Sequence, residues 1–353
     1  MTITTYIIIS IIKSLAVIFV LLTAVAYSVW LERKVSAHIQ NRWGPTRVGP
    51  FGLLQPLADG VKFIFKEDLT PPYVYKPLYI AAPVISVVFA ITSIAVVPFG
   101  NSLDIRAFHV GGLTIGPIST PFQITDLNIG VLVILGITSM GVYGVALAGW
   151  SSNSKYSLLG GLRASAQMVS YEVSLGLSLI PVLIWAGSFS LRDIVLSQRH
   201  MHWNVFYLPF GTLAFFLYLI SAYAETNRTP FDLPEAESEL VAGYHTEYSA
   251  MKFAMFFMAE YANMVTVACL ATLLFFGGWL GPVWGSDGSL LNMAMPVIWF
   301  CLKVFFFMFL YVWVRWTLPR FRYDQLMAFG WKVLLPLSIA NLVVTALWVA
   351  ARA

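Results

Sequence analysis

Long apolar runs separated by short polar segments dominate the chain. Runs of about 20 apolar residues are long enough to cross the hydrocarbon core of a bilayer. Lipid offers no partner for an open backbone group, so such runs favour helices. We therefore predict an all-α, polytopic membrane protein with about eight transmembrane helices. The predicted spans are about 6–31, 78–98, 127–149, 164–187, 204–224, 252–276, 294–316 and 331–350.

One segment of the first loop, FGLLQPLADGVKFIFK (51–66), shows a different pattern. Its polar residues Gln55, Asp59, Lys62 and Lys66 are spaced four, three and four apart, with apolar residues on the other side. This spacing predicts a short amphipathic helix that does not span the membrane. Two interpretations stay open: the helix rests in the headgroup layer, or its apolar face helps wall an opening for a lipid-like molecule.

The composition supports this class and excludes several others. The chain is 59% hydrophobic and 11% charged, with a mean hydropathy of +0.77, whereas soluble domains carry about 25% charged residues. Residues 1–353 are expected to form a single integral membrane domain, and the first run is too long for a signal peptide. Cys269 and Cys301 lie in separate apolar runs, which excludes a disulfide framework. We expect no metal site, no redox cofactor held by this chain and no nucleic-acid partner.

The distribution of Lys and Arg predicts the orientation. The odd-numbered loops hold 15 of these residues and the even-numbered loops hold three. Basic residues concentrate on the inner face of a membrane, so the odd loops face inward and both termini lie outside.

The fifth loop concentrates negative charge on that inner face. Arg228 is the only Lys or Arg in residues 224–248. Asp232 and Glu235 have the spacing of a capping box, which predicts a short helix over about 233–242 that ends at Gly243. Such a cap explains Glu235 but not the other acids of this segment. The six acids of this segment, out of 17 in the chain, are Glu225, Asp232, Glu235, Glu237, Glu239 and Glu247.

Four ionisable residues fall inside the predicted spans: Lys13, Glu172, Glu260 and Lys303. From the predicted inner span ends, Glu172 lies ~13 Å deep and Glu260 ~12 Å deep. Each acid alone could be satisfied by a neighbouring helix. Together with Glu225 at the inner end of its span, they favour a proton or water path. Lys13 is expected to snorkel to the outer surface, whereas Lys303 is either a counter-charge to the acids or structural.

Three inner-loop segments resemble a known family. They are LERKVSAHIQNRWGPTRVGPFGLLQPLADGVKFIFKED (31–68), AETNRTPFDLPEAESELVAGYHTEYS (224–249) and RWTLPRFRYDQLM (315–327). They resemble the inner loops of the respiratory complex I membrane subunit that meets the hydrophilic arm. This family includes the H subunit of bacterial NADH:quinone oxidoreductase and its counterpart, mitochondrial NADH dehydrogenase subunit 1. The resemblance covers essentially the whole chain.

The resemblance implies a translocase of the respiratory chain in a bacterial inner membrane, or alternatively the mitochondrial one. Quinone would be the substrate, while FMN and iron–sulfur clusters would lie in partner subunits. Other partners would be hydrophilic-arm subunits that complete the quinone chamber, antiporter-like membrane subunits and lipid. The matching chamber residues are Glu32, Arg33, Arg42, Asp59, Arg315 and Arg320. The matching proton-pathway residues are Glu172, Glu225, Glu235, Glu237, Glu239, Glu247 and Glu260.

Two other functions remain as alternatives. One is an anchor subunit of a related membrane-bound hydrogenase or of a non-NADH dehydrogenase, which would share the scaffold but use another electron donor. The other is a secondary transporter, which would bind its substrate near the middle of the membrane.

Overall fold

The computed structural model describes residues 3–105, 108–110, 113–115, 118–232, 241–283 and 290–352. In this part of the chain, seven helices are long and apolar enough to cross a membrane, and an eighth apolar helix is shorter. The predicted all-α, polytopic membrane protein with about eight spans is confirmed.

The helices follow the predicted spans closely, with one extra short helix in an outer loop. The last span begins earlier than predicted, at Tyr323, and consists of two helices joined by a π turn, Gly330–Leu334. In chain order the helices are α1 (Ile3–Ile39), α2 (Gln55–Phe65), α3 (Lys76–Ser93), α4 (Gly130–Ser151), α5 (Lys155–Ala186), α6 (Leu191–Ser197), α7 (Phe210–Glu225), α8 (Ala250–Phe275), α9 (Leu290–Thr317), α10 (Tyr323–Phe329) and α11 (Leu335–Ala350).

Two helices extend beyond their predicted inner ends. α1 continues past 31 to Ile39, because no Gly or Pro interrupts the chain before Asn41, whose φ of 55° lies in the left-handed region that ends helices. α5 begins at Lys155 instead of 164. The α1 extension places Glu32 and Arg33 on a helix rather than in a loop.

The second loop contains short strands that hydrophobic periodicity does not predict. They are β1 (Ser102–Ile105), β2 (Phe108–Val110), β3 (Leu113–Ile115) and β4 (Ile118–Pro121). β1 pairs with β4 and β2 pairs with β3, both antiparallel. Such short runs leave no alternating pattern that stands out in the sequence.

The spans pack around α8, which is the most buried of the seven long apolar helices. α8 contacts α1, α3, α7 and α9, and α5 packs against α4 and α7. Small residues permit the closest approaches. A Cβ on Gly161 of α5, for example, would meet the Cα of Gly149 of α4 at 3.0 Å. α8 therefore connects the side of the bundle that holds α1 with the side that holds α5.

The predicted amphipathic helix is present as α2, which lies against α1 and α8. Its polar side faces α1 through Asp59, whereas Leu57 and Phe65 are 69% and 85% exposed. This chain therefore leaves the apolar face of α2 uncovered beside α1 and α8.

Candidate functional site

A buried carboxylate, Glu32, connects three separate parts of the chain. It lies on the part of α1 that extends past residue 31, and its side chain is 9% exposed. The Tyr261 hydroxyl of α8 donates to it at 2.5 Å, Arg228 of the fifth loop at 3.4 Å, and Arg315 of α9 also pairs with it. Charged partners on separate elements therefore keep this carboxylate inside the protein.

Arg228 forms the second half of this cluster. Its guanidinium pairs with Glu260 of α8 as well as with Glu32, and lies 4.3 Å from the centre of the Tyr261 ring. Burial lowers the pKa of Arg228, but Glu260 and, more weakly, Tyr261 and Glu32 raise it above its ordinary value. With Arg315, the cluster thus contains two carboxylates and two guanidinium groups, whose formal charges cancel.

The backbone around Arg228 is held by a buried amide. Gln167 of α5 is fully buried, and its side-chain nitrogen donates to the carbonyls of Ala224 and Phe231, at 2.9 and 2.8 Å. The Phe231 ring stacks on Phe321 with centroids 5.5 Å apart. These contacts bracket Arg228 and direct it towards α1 and α8.

A second polar group joins α2 to α1. Arg33 donates to Asp59 at 2.6 Å, and Gln55 and Lys62 donate to the other carboxylate oxygen at 3.1 and 3.4 Å. Burial raises the pKa of Asp59, but Arg33, Gln55 and Lys62 together hold it below its ordinary value. Because consecutive helical residues point about 100° apart, Glu32 faces the buried cluster while Arg33 faces α2.

The remaining chamber residues are placed separately. Arg320 pairs with Asp232 at 3.3 Å, which connects the segment after α9 to the fifth loop. Arg42 donates to Gln40 at 2.7 Å and is exposed. Of the predicted chamber residues, Glu32 and Arg315 are in direct contact, as are Arg33 and Asp59.

Glu172 and Glu225 form another acidic group, on α5 and at the end of α7. The two carboxylates lie close enough to repel each other when both are ionised. At the rise of an α-helix, Glu172 lies ~26 Å from the start of α5, whereas Glu260 lies ~15 Å from the start of α8. The two acids therefore lie at different distances along their helices, because α5 extends beyond its predicted start. Their similar depth in the membrane stays a prediction.

Two stacked tyrosines lie between the cluster and this acidic group. Tyr223 of α7 and Tyr311 of α9 have ring centroids 4.0 Å apart. Tyr311 interacts electrostatically with both Glu225 and Arg228. These tyrosines offer hydroxyl groups in the region where the two sets of acids approach each other.

The acidic fifth loop is described only at its two ends. Glu235, Glu237 and Glu239, together with most of the predicted helix over 233–242, lie outside the described residues. Glu247 is half-buried and accepts a hydrogen bond from Tyr73 at 2.7 Å. Gly243 has a φ of 57° and lies against Gly160 of α5. A Cβ on Gly160 would meet the Gly243 Cα at 2.6 Å, so the loop returns to the bundle at a contact between two glycines.

The two lysines within spans bind backbone carbonyls. Lys303 donates to the carbonyls of Phe276, Gly278 and Leu280 at 2.7–2.9 Å, so its contacts favour the structural interpretation over a counter-charge to the acids. Lys13 donates to the Pro121 carbonyl at 2.9 Å, at the end of β4. No group of three or more metal-ligating His, Cys, Asp or Glu residues occurs in the described part of the chain.

Sequence reasoning missed three contributors to the site. Arg228 is the single Lys or Arg of an acidic segment. A lone cation among so many acids is the signal that could have identified it as an ion-pair partner. Tyr261 follows Glu260 directly in α8, but a tyrosine in a span has many ordinary roles. Tyr311 carries no distinguishing pattern at all.

Comparisons with known proteins identify the family of this chain. The family model described as NADH dehydrogenase matches residues 12–346. The chain belongs to the NADH dehydrogenase family. It is 68% identical to an NADH-quinone oxidoreductase H subunit of Koribacter versatilis, with 98% of each chain covered. It is 49% identical to the corresponding protein of Solibacter usitatus, again with 98% of each covered. It is 54% identical to that of Leptospira biflexa over 92% of this chain and 90% of the other. The resemblance drawn from the three inner-loop segments is confirmed.

Proposed function

We propose that this chain is the membrane subunit of a proton-translocating NADH:quinone oxidoreductase that lines the quinone chamber. In this assignment it lies in a bacterial inner membrane with both termini outside. Electrons reach the quinone from NADH through FMN and iron–sulfur clusters of partner subunits. The relatives carry the name NADH-quinone oxidoreductase, which favours this donor over a hydrogenase.

The observation that carries the proposal is the buried cluster of Glu32, Arg228, Glu260 and Arg315 beside α2. A quinone is an apolar chain with a polar head. The uncovered apolar face of α2 suits the chain, while the guanidinium groups of the cluster suit a head that becomes negatively charged on reduction. The other residues assigned to the polar border of this proposed chamber are Arg33, Arg42, Asp59 and Arg320.

The coupling of quinone reduction to proton uptake by the carboxylates follows from the balance of charge in the proposed chamber. Reduction of a quinone to a quinol takes up two electrons and two protons, so negative charge appears near the head before the protons arrive. That charge competes with Glu32 and Glu260 for Arg228 and Arg315, because Coulomb attraction is strong where water is excluded. A carboxylate that loses its guanidinium partner gains affinity for a proton.

The proton then has a candidate route into the bundle. Tyr311 and Tyr223 lie between the cluster and Glu225, and Glu225 interacts with Glu172. Charge changes at Glu172 would bias the neighbouring antiporter-like subunits. The acids that we assign to the supply of protons from the inner face are Glu235, Glu237, Glu239 and Glu247.

The test is Glu172→Gln in inverted membrane vesicles, with NADH:quinone reduction and proton uptake measured together. We expect the protons moved per NADH oxidised to fall while the complex stays assembled. Glu67→Gln is the matched control, since Glu67 is an exposed carboxylate of the first loop. An unchanged proton-to-NADH ratio in assembled Glu172→Gln complex removes Glu172 from the pathway.

A further inference from the structure

A long apolar cavity follows the first span. It has a volume of about 600 Å³ and lies between α1, α8 and α9. Along α1 its wall runs from Ile12 to Leu31, and opposite lie Val265 of α8 and Phe300 and Val304 of α9. The cavity therefore follows the first span over most of its length.

The proportions of the cavity select the shape of its occupant. At the rise of an α-helix, the distance from Ile12 to Leu31 is ~28 Å. This length is close to the ~30 Å thickness of a hydrocarbon core. Spread over that length, the volume gives a mean cross-section of only ~20 Å², whereas a helix ~10–12 Å wide needs ~80–110 Å². This narrow shape suits a single hydrocarbon chain better than a whole transmembrane helix of a partner subunit.

One end of the cavity is polar and positively charged. Lys13 lines it and donates to the Pro121 carbonyl, which uses one of the three N–H groups of its ammonium. Gln123 lines the same end with 5% exposure, and its side-chain nitrogen has no hydrogen-bond partner within the described residues. A buried donor without a partner costs free energy, so a ligand with acceptor oxygens at this position would be stabilised.

We propose that this cavity binds one acyl chain of an anionic phospholipid, whose phosphate lies at Lys13 and Gln123. The ammonium group and the amide donor complement a phosphate, and the apolar walls complement the chain. A quinone tail would fill the same walls but would place no anion at Lys13. This site goes beyond the proposed function, because its proposed phosphate position at Lys13 lies at the end of α1 opposite Glu32, although the other end of the cavity reaches Leu31.

The direct test uses the assembled complex reconstituted with a diazirine-labelled acyl chain on either phosphatidylglycerol or phosphatidylcholine. After illumination, peptide mass spectrometry locates the attachment sites. We expect labelling of residues 12–31 and 297–308, several-fold stronger with the anionic lipid. Equal labelling by both lipids, or none in these segments, overturns the charge-selective site, as does recovery of quinone from the cavity instead of phospholipid.

Two pairs of variants separate filling of the cavity from general disturbance of α1. Ala16→Phe fills the cavity and should abolish the labelling, whereas Leu15→Phe, next to it on α1 and 63% exposed outside the cavity, should not. Lys13→Gln should remove the preference for the anionic lipid, whereas Lys155→Gln, at the start of α5, should retain it. Undiminished labelling in assembled Ala16→Phe complex contradicts the proposal. If Ala16→Phe does not assemble, the wild-type comparison of the two lipids still decides.

Discussion

Arg228 and Glu260 form a salt bridge that connects the fifth inner loop to the middle of the most buried span. The Arg228 side chain is 4% exposed and the Glu260 side chain 15%, so neither group is well solvated. Arg228 therefore anchors the segment that follows α7 within the bundle, against α1 and α8.

This pair makes a prediction about stability. Arg228→Gln deprives Glu260 and Glu32 of a buried guanidinium, and removing one partner of a buried pair costs about 3–5 kcal/mol. We expect a lower yield and a lower thermal midpoint of the assembled complex. Arg228→Gln combined with Glu260→Gln removes both charges and should recover part of the loss.

A surface ion pair provides the control for the Arg228 and Glu260 variants. Arg322 and Asp324 are 3.3 Å apart with side chains 78% and 69% exposed, and exposed pairs contribute only about 0–1 kcal/mol. Arg322→Gln should leave the thermal midpoint nearly unchanged. If the double variant at 228 and 260 is no more stable than Arg228→Gln alone, the pair does not act as a unit.

Tyr261 contributes its hydroxyl group and its ring separately. Tyr261→Phe removes the hydrogen bond to Glu32 but keeps the ring beside Arg228, whereas Tyr261→Leu removes both. A hydrogen bond to a charged group contributes about 1.5–3 kcal/mol, and a desolvated cation–π contact up to about 2 kcal/mol. We expect the thermal midpoint to fall in Tyr261→Phe and further in Tyr261→Leu. Equal losses would show that the ring contact contributes nothing.

The stacked tyrosines make a prediction about coupling. Tyr311→Phe retains the stacking on Tyr223 but removes a hydroxyl next to Glu225 and Arg228. If this hydroxyl conducts protons, the ratio of protons moved to NADH oxidised should fall, with quinone reduction less affected. Tyr171→Phe is the control, because the buried Tyr171 hydroxyl donates to the Leu326 carbonyl. An equal effect of both substitutions would indicate a packing defect rather than a proton path.

The sequence predicts the elements of this protein much better than their partners. Apolar runs locate the spans, and the spacing of Gln55, Asp59 and Lys62 locates α2, because both depend on local periodicity. The contacts of Glu32 with Arg228 and Arg315 join residues far apart in the chain, and periodicity does not tell which helices are neighbours. The sequence also does not predict which backbone carbonyls bind a lysine, since every residue has a carbonyl.

The Asp59 group predicts how the attachment of α2 depends on pH. Its folded-state pKa lies below the ordinary value of 3.8. The stabilisation is therefore fully present above that value and is lost as the pH falls through the lower folded pKa. Attachment of α2 to α1 should be constant at neutral pH and weaken only in acid below about pH 4. Proteolysis or hydrogen exchange of residues 55–65 measures this attachment. In Asp59→Asn, α2 should be as weakly attached at neutral pH as it is in the wild type in acid.

Lys303 distinguishes a structural lysine from a member of the proton route. Its ammonium donates to three carbonyls at the end of α8 and lies 4.8 Å from the Trp203 ring centre. Lys303→Met deprives these carbonyls of a charged donor, so we expect a loss of about 2–4 kcal/mol in stability. The proton-to-NADH ratio of the complex that does assemble should equal that of the wild type, because Lys303 contacts none of the proposed pathway acids in the described part of the chain. Lys303→Arg should restore part of the stability by keeping the positive charge. A lowered ratio in well-assembled Lys303→Met complex, measured in the same vesicles, would return Lys303 to the role of counter-charge.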